Sequence, residues 1–342
     1  MVLCTIAAPT PIGWMWKALW LSSSQSKKNL PRPKNSMTRL LITGVSGLLG
    51  INLALEAVQQ GFDVVGWTNS RTLKNVPFQQ ETVRLEDLES LPAALQSARP
   101  DAVIHCAAIA NLDVAEQNPQ LTDLVNAQAP GVLAQVAKSK GIPFVQISTD
   151  AVFDGSRGNY SEEDLPNPQN TYAQSKLGGE EAVRLAYPEA LIARVVFYGW
   201  SLGGKRSLAE FFFNNLSHGI RVKGFTDSIF SPLYVTDLAD LLLEALAKNL
   251  TGTYHIFSRE SLSKYDFGVA LAKRFGFDEN LITPVQTDQG NLLTKRSLNL
   301  SANPKKLQLA LGHDLPGAFE GIDRLFDDYQ KGLRQQLAVF LA

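Results

Sequence analysis

Three side chains near the middle of the chain have the types and spacing for acid–base work on a carbonyl. Tyr172 and Lys176 stand four residues apart in Thr171-Tyr172-Ala173-Gln174-Ser175-Lys176. Four residues is close to one helical turn, so both lie on one helix face. A phenol titrates near 10 and is a poor acid–base group at neutral pH, whereas a neighbouring ammonium stabilises phenolate and lowers that value. Thr149, in Ser148-Thr149-Asp150, offers a hydroxyl that can orient a substrate carbonyl. A tyrosine and a lysine at this spacing recur by chance on helix surfaces. Their weight here comes from Thr149 upstream and from a glycine loop earlier still.

That loop is Thr43-Gly44-Val45-Ser46-Gly47-Leu48-Leu49-Gly50, between the apolar run Leu40-Leu41-Ile42 and an amphipathic stretch from Asn52. Strand, glycine turn and helix is the order that brings backbone close to a pyrophosphate. Free N–H groups and the helix dipole favour negative charge there. The spacing is G-x-x-G-x-x-G rather than the commoner G-x-G-x-x-G. Cofactor contacts are expected from Gly44, Ser46, Gly47, Leu48, Leu49 and Gly50. A second strand, Asp63–Trp67, ends in Thr68-Asn69-Ser70-Arg71. No acidic residue stands there to bond a ribose hydroxyl. Asn69, Ser70 and Arg71 would instead suit a 2′-phosphate, so NADP(H) is preferred over NAD(H), with Arg71 as a solvated loop residue the alternative. After the strand Asp101–His105 come Cys106-Ala107-Ala108, small enough to leave room for a ligand. His105 itself is expected to be a hydrogen-bonded core residue.

Stepping from these residues to the elements that carry them, strands and helices alternate regularly. Leu88–Ala98 reads as a helix and Phe144–Ile147 as a strand. Leu121–Ser139 has helical spacing with a kink or break expected at Pro130-Gly131. This alternation predicts an α/β fold, a doubly wound parallel sheet of the Rossmann type. A smaller C-terminal substrate-binding lobe follows, with helices over Ser207–Leu216, Leu238–Ala247, Ser263–Phe275 and about Pro316–Leu333. The Phe211-Phe212-Phe213 trio reads as core or interface.

The 342 residues carry 19% charged side chains and a formal net charge of −1, which points to no nucleic-acid or membrane-surface partner. Two cysteines and four scattered histidines suggest neither a disulfide framework nor a metal site. Residues 1–36 differ from the rest: acid-poor, with apolar and serine-containing stretches. They read as a disordered tail or as an upstream start before Met37, with a transit segment as the other reading.

Together these motifs resemble the extended short-chain dehydrogenase/reductase superfamily, and within it the dTDP-4-dehydrorhamnose reductase group. The similarity runs from about Thr38 to Tyr329. It is carried by Thr43–Gly50, by Pro100–Ala108, by Ser148-Thr149-Asp150-Ala151-Val152-Phe153-Asp154-Gly155 and by Tyr172–Lys176. Ser231–Ala239 and Gly252–His255 carry it further. The resemblance implies that Tyr172 is the proton donor. Lys176 binds the nicotinamide ribose and tunes Tyr172, and Thr149 holds the carbonyl. Asp150, Phe197 and Arg296 would lie at the substrate, a 4-keto-6-deoxy sugar nucleotide reduced by NAD(P)H. Phe197 stands where the group often has tryptophan, and Arg84 where it usually has an acidic residue. The implied layout is a tail over 1–36, a cofactor domain over 37–200 rejoined by about 233–250, and a substrate lobe over most of 201–342. A cytoplasmic enzyme, with a homodimer allowed, is the expectation. The group also contains the cofactor-binding regulatory β subunit of methionine adenosyltransferase. A regulatory subunit, or a reductase of another carbonyl, is therefore the alternative.

Overall fold

The computed structural model describes residues 38–289 and 297–341. Its centre is a seven-stranded parallel sheet. The strands are β1 (Arg39–Thr43), β2 (Asp63–Thr68), β3 (Gln79–Thr82), β4 (Ala102–His105), β5 (Phe144–Thr149), β6 (Leu191–Val195) and β7 (Gly252–Ile256). Their spatial order is β7-β6-β5-β4-β1-β2-β3. Leu40, Leu41 and Ile42 of β1 are fully buried, as expected for a strand covered on both faces. The order reverses between β1 and β4, so the carboxyl ends of these two strands open a crevice.

Helices α1 (Leu48–Gln59), α2 (Leu91–Ala98), α3 (Ala129–Ser139) and α4 (Thr171–Ala186) make the crossovers. On one face, Leu91, Leu95, Leu133, Ala134 and Val183 join Leu41, Val65, Val103 and Phe144 of the sheet in one core. The chain then continues through α5 (Leu208–Leu216), α6 (Val235–Ala247), α7 (Lys264–Phe275) and α8 (Ala318–Gln330). Helix α6 packs on α1, and β7 pairs with β6 in register from Gly252↔Leu191 to Ile256↔Val195. Short ladders join Phe197–Tyr198 to Leu233–Tyr234 and Val222–Phe225 to Ile282–Val285. No helix among the described residues is long and apolar enough to cross a membrane.

Several elements differ from the sequence expectation. Strand β3 had no apolar signal, because Gln79-Gln80-Glu81-Thr82 is an edge strand with three of its residues exposed. The helix expected from Leu88 begins at Leu91, with Pro92 in its first turn. The break at Pro130 is a π turn over Leu124–Gln128 that separates Pro119–Asp123 from α3. Pro130 has no N–H to give the Asn126 carbonyl four residues back, and the wider turn absorbs that mismatch. In the aromatic trio, Phe212 and Phe213 are buried while Phe211 is exposed. The N-terminal tail lies outside the described residues.

Candidate active site and cofactor cleft

Strand β5 ends at Thr149, and helix α4 begins where Asn170 accepts from the Ala173 N–H. The Thr171 N–H and hydroxyl both donate to Glu116, at 2.9 and 2.7 Å, which fixes the first turn of α4. Tyr172 and Lys176 then face the end of β5. The Lys176 Nζ donates to the Ile147 carbonyl at 2.7 Å, and the Thr149 hydroxyl is within hydrogen-bonding reach of the Tyr172 phenol. The Thr149 Oγ1 also donates to Asp150 at 3.0 Å and accepts from the Ala151 N–H at 3.2 Å. So Thr149, Asp150, Tyr172 and Lys176 converge on one point.

The electrostatics of that point are set by burial. Burial pushes the Tyr172 phenol up to about 12; the Thr149 hydrogen bond opposes this and the Asp150 charge adds to it. The expected lowering by Lys176 is not what this chain shows. The ammonium is aimed at a backbone carbonyl, and burial brings it down to about 8 against the charges of Glu180 and Cys106. Tyr172 therefore holds its proton at neutral pH, which suits a donor of protons to a developing alkoxide. Burial also raises Asp150 to about 6, against the Thr149 hydrogen bond and the Lys264 charge.

Beside this point, a cleft of about 220 Å³ lies over the carboxyl ends of β1, β2 and β4. Gly44, Ser46 and Gly47 form one wall and Cys106, Ala107 and Ala108 another. The two walls touch: a Cβ on Gly44 would sit 2.8 Å from the Ala107 Cα, and Gly44 has φ +71°. Only glycine fits there. The Thr43 hydroxyl ties the walls together, accepting from the Ala107 N–H at 3.1 Å and meeting the His105 Nδ1 at 2.9 Å. His105 is buried, and burial brings it down to about 3, so it is a neutral core residue as expected.

The start of α1 has no side-chain cap, so the first backbone N–H groups, those of Leu48 and Leu49 included, are left for a ligand. The Leu49 side chain packs into the core. Gly50 serves packing: its Cβ would lie 2.2 Å from the Gly44 carbonyl oxygen. Small walls, a glycine turn and an uncapped helix start fit a dinucleotide pyrophosphate. Asn69 lines the cleft at the ribose end. Ser70 and Arg71 do not line it; both are exposed beside it. Phe197 is half-buried in its short ladder with Leu233. Arg296 lies outside the described residues.

Two residues escaped the sequence reading. Asn126 sits in the π turn and links the elements of the site. Its amide accepts from the Ile109 N–H at 2.8 Å and donates to the Ile109 carbonyl and to Ser175 of α4. The break at Pro130 was its only signal. Arg206, far along the chain, also lines the cleft, and nothing in its neighbourhood announced this.

Comparisons with known proteins agree with this geometry. The model of the RmlD substrate binding domain matches residues 37–331. A probable low-salt glycan biosynthesis reductase of Haloferax volcanii, Agl14, is 37% identical over 246 residues, covering 70% of this chain and 81% of that protein. Methionine adenosyltransferase 2 subunit beta of Xenopus laevis is 30% identical over 311 residues, covering 89% of this chain and 88% of that one. Among solved structures, dTDP-4-dehydrorhamnose reductase from Bacillus anthracis in complex with NADP superposes with a TM-score of 0.77 at 27% identity. It covers 86% of this chain and 100% of that one. With a parallel sheet, a glycine turn at its switch point and the family match over most of its length, this chain belongs to the RmlD substrate binding domain family of extended short-chain reductases and is an NAD(P)-dependent oxidoreductase.

Proposed function

We propose that this protein reduces the 4-keto group of a nucleotide-activated 6-deoxy sugar, with NADPH as the preferred donor. The observation that carries the reading is the convergence of Thr149, Tyr172 and Lys176 at the end of β5, next to the cofactor cleft. The named reductases among the relatives support the substrate class.

In this reading the substrate carbonyl oxygen lies between the Thr149 and Tyr172 hydroxyls. A nicotinamide held in the cleft would supply the hydride that the carbonyl carbon takes up. Thr149 orients the oxygen and Tyr172 donates its proton as negative charge develops there, so the product is an alcohol. Tyr172 is left as phenolate and regains a proton from solvent. Lys176 holds the nicotinamide ribose. Asp150, with Phe197, lies towards the sugar.

The test is NADPH oxidation, followed by absorbance, with a panel of 4-keto sugar nucleotides. Tyr172→Phe should lower kcat by roughly a hundredfold or more, the range for losing a positioned general acid. Its cofactor affinity should change little. Turnover that survives this substitution would remove Tyr172 from the mechanism. A second reading, a cofactor-binding regulatory subunit, is motivated by the methionine adenosyltransferase relative. Tyr172-dependent turnover of any 4-keto sugar nucleotide rejects it.

A further inference from the structure

A pyrophosphate, with or without a 2′-phosphate, brings several negative charges, and Arg71 does not line the cleft. Among the described residues that line it, Arg206 is the one lysine or arginine and Glu86 the one carboxylate. Glu86 is engaged by Arg84 at 2.9 Å. The Arg206 guanidinium is exposed and has no hydrogen bond or ion pair with any described residue.

Its backbone, by contrast, is held tightly. Arg206 ends the loop from Trp200 to Ser207, between the Phe197–Tyr198 strand and α5. Glu210 is fully buried and accepts from the N–H groups of Ser201, Arg206 and Ser207 at 2.6, 2.7 and 3.1 Å. Both ends of the loop thus close on one carboxylate. The Ser207 hydroxyl adds a bond to the Gly199 carbonyl at 2.7 Å, and Asn214 holds the Gly204 carbonyl at 2.7 Å. The loop is also tied to the phosphate end of the cleft. Asn52, in the second turn of α1, donates to the Trp200 carbonyl at 3.0 Å while bonding the Leu48 carbonyl at 2.8 Å. A guanidinium with no partner among the described residues, on a hydrogen-bonded loop and lining the same cleft as Ser46 and Gly47 before the uncapped helix start, has the form of an anion clamp.

We propose that Arg206 is a cofactor-binding residue that reaches across the cleft to a phosphate of the bound dinucleotide. The inference rests on the dinucleotide reading of the cleft and not on the identity of the sugar. The chemistry is guanidinium to phosphate, and two phosphate sources are open to it: the pyrophosphate, common to both cofactors, and the 2′-phosphate, present in NADPH alone.

The experiment is titration of the full chain with NADPH and with NADH, followed by calorimetry, for wild type, Arg206→Ala, Arg206→Lys and Arg71→Ala. Loss of one charge-assisted bidentate contact predicts a rise in Kd of about tenfold for Arg206→Ala, partly restored by lysine. A loss for both cofactors assigns the pyrophosphate, and a loss for NADPH alone assigns the 2′-phosphate. The thermal midpoint should be unchanged, because the guanidinium has no structural partner among the described residues. Wild-type binding with Arg206→Ala unaffected for both cofactors overturns the proposal. A loss found in Arg71→Ala and not in Arg206→Ala does the same. A wild type that binds neither cofactor would overturn the reading of the cleft itself.

Discussion

Asp150 carries a charge that its surroundings oppose. It is 6% exposed, its pKa stands near 6, and its nearest donor is a neutral hydroxyl. The folded value lies above the ordinary carboxyl value of 3.8, so between the two the folded chain binds more protons than the unfolded one. Stability conferred by the protonated carboxyl is complete below about pH 4 and is lost as pH rises through 6. Asp150→Asn should therefore raise the unfolding free energy at pH 7 by about 3 kcal/mol, with the gain vanishing near pH 4. Denaturant melts at the two pH values measure it; a gain independent of pH would show that the carboxylate is not strained. The Ser-Thr-Asp string made Asp150 legible in the sequence. Its raised pKa was not, because desolvation depends on what packs around the carboxyl.

At the scale of elements, helix α4 is placed by a close approach. Gly179 of α4 lies against the Asn126 carbonyl, where a Cβ would come within 2.3 Å of the oxygen. Pro130 frees that carbonyl, Gly179 gives it room, and the Asn126 side chain reaches Ser175 one turn earlier on α4. The three residues together set the height of Tyr172 and Lys176 over β5. Gly179→Ala should push α4 outward, costing about 1–3 kcal/mol of stability and lowering kcat more than cofactor affinity. A thermal melt with steady-state kinetics checks both; unchanged kcat would detach this contact from catalysis. The proline break was legible because proline acts on its own helix. Its partner was not, since Gly179 is simply one of two adjacent glycines in the sequence of α4.

At the scale of the molecule, later parts of the chain complete the cofactor half. Helix α6 covers α1, β7 extends the sheet beside β6, and Trp200 joins loop, α5 and α8. Its indole is fully buried, donates to the Leu325 carbonyl at 3.1 Å, and packs edge-on to Phe213 at 5.0 Å. Trp200→Ala should cost about 3–5 kcal/mol. Because the loop carrying Arg206 starts at this residue, NADPH binding should weaken in the same variant, by calorimetry at a temperature where it remains folded. Retained affinity would show that the loop is held without its first residue.

What the sequence determined by itself is local. The glycine turn after an apolar strand, the alternation of strand and helix, and the shared face of Tyr172 and Lys176 all follow from neighbours along the chain. Helix pitch and strand pleat fix such relations before any tertiary contact forms. The tertiary structure decided which basic residue lines the cleft. Arg71 follows the second strand, where sequence position suggests a phosphate contact, yet its side chain is exposed beyond the cleft. Arg206 comes from a distant loop, brought there by a buried glutamate and an asparagine on α1. A side chain's reach across a cleft depends on the packing of segments far apart in sequence, and no local spacing encodes it.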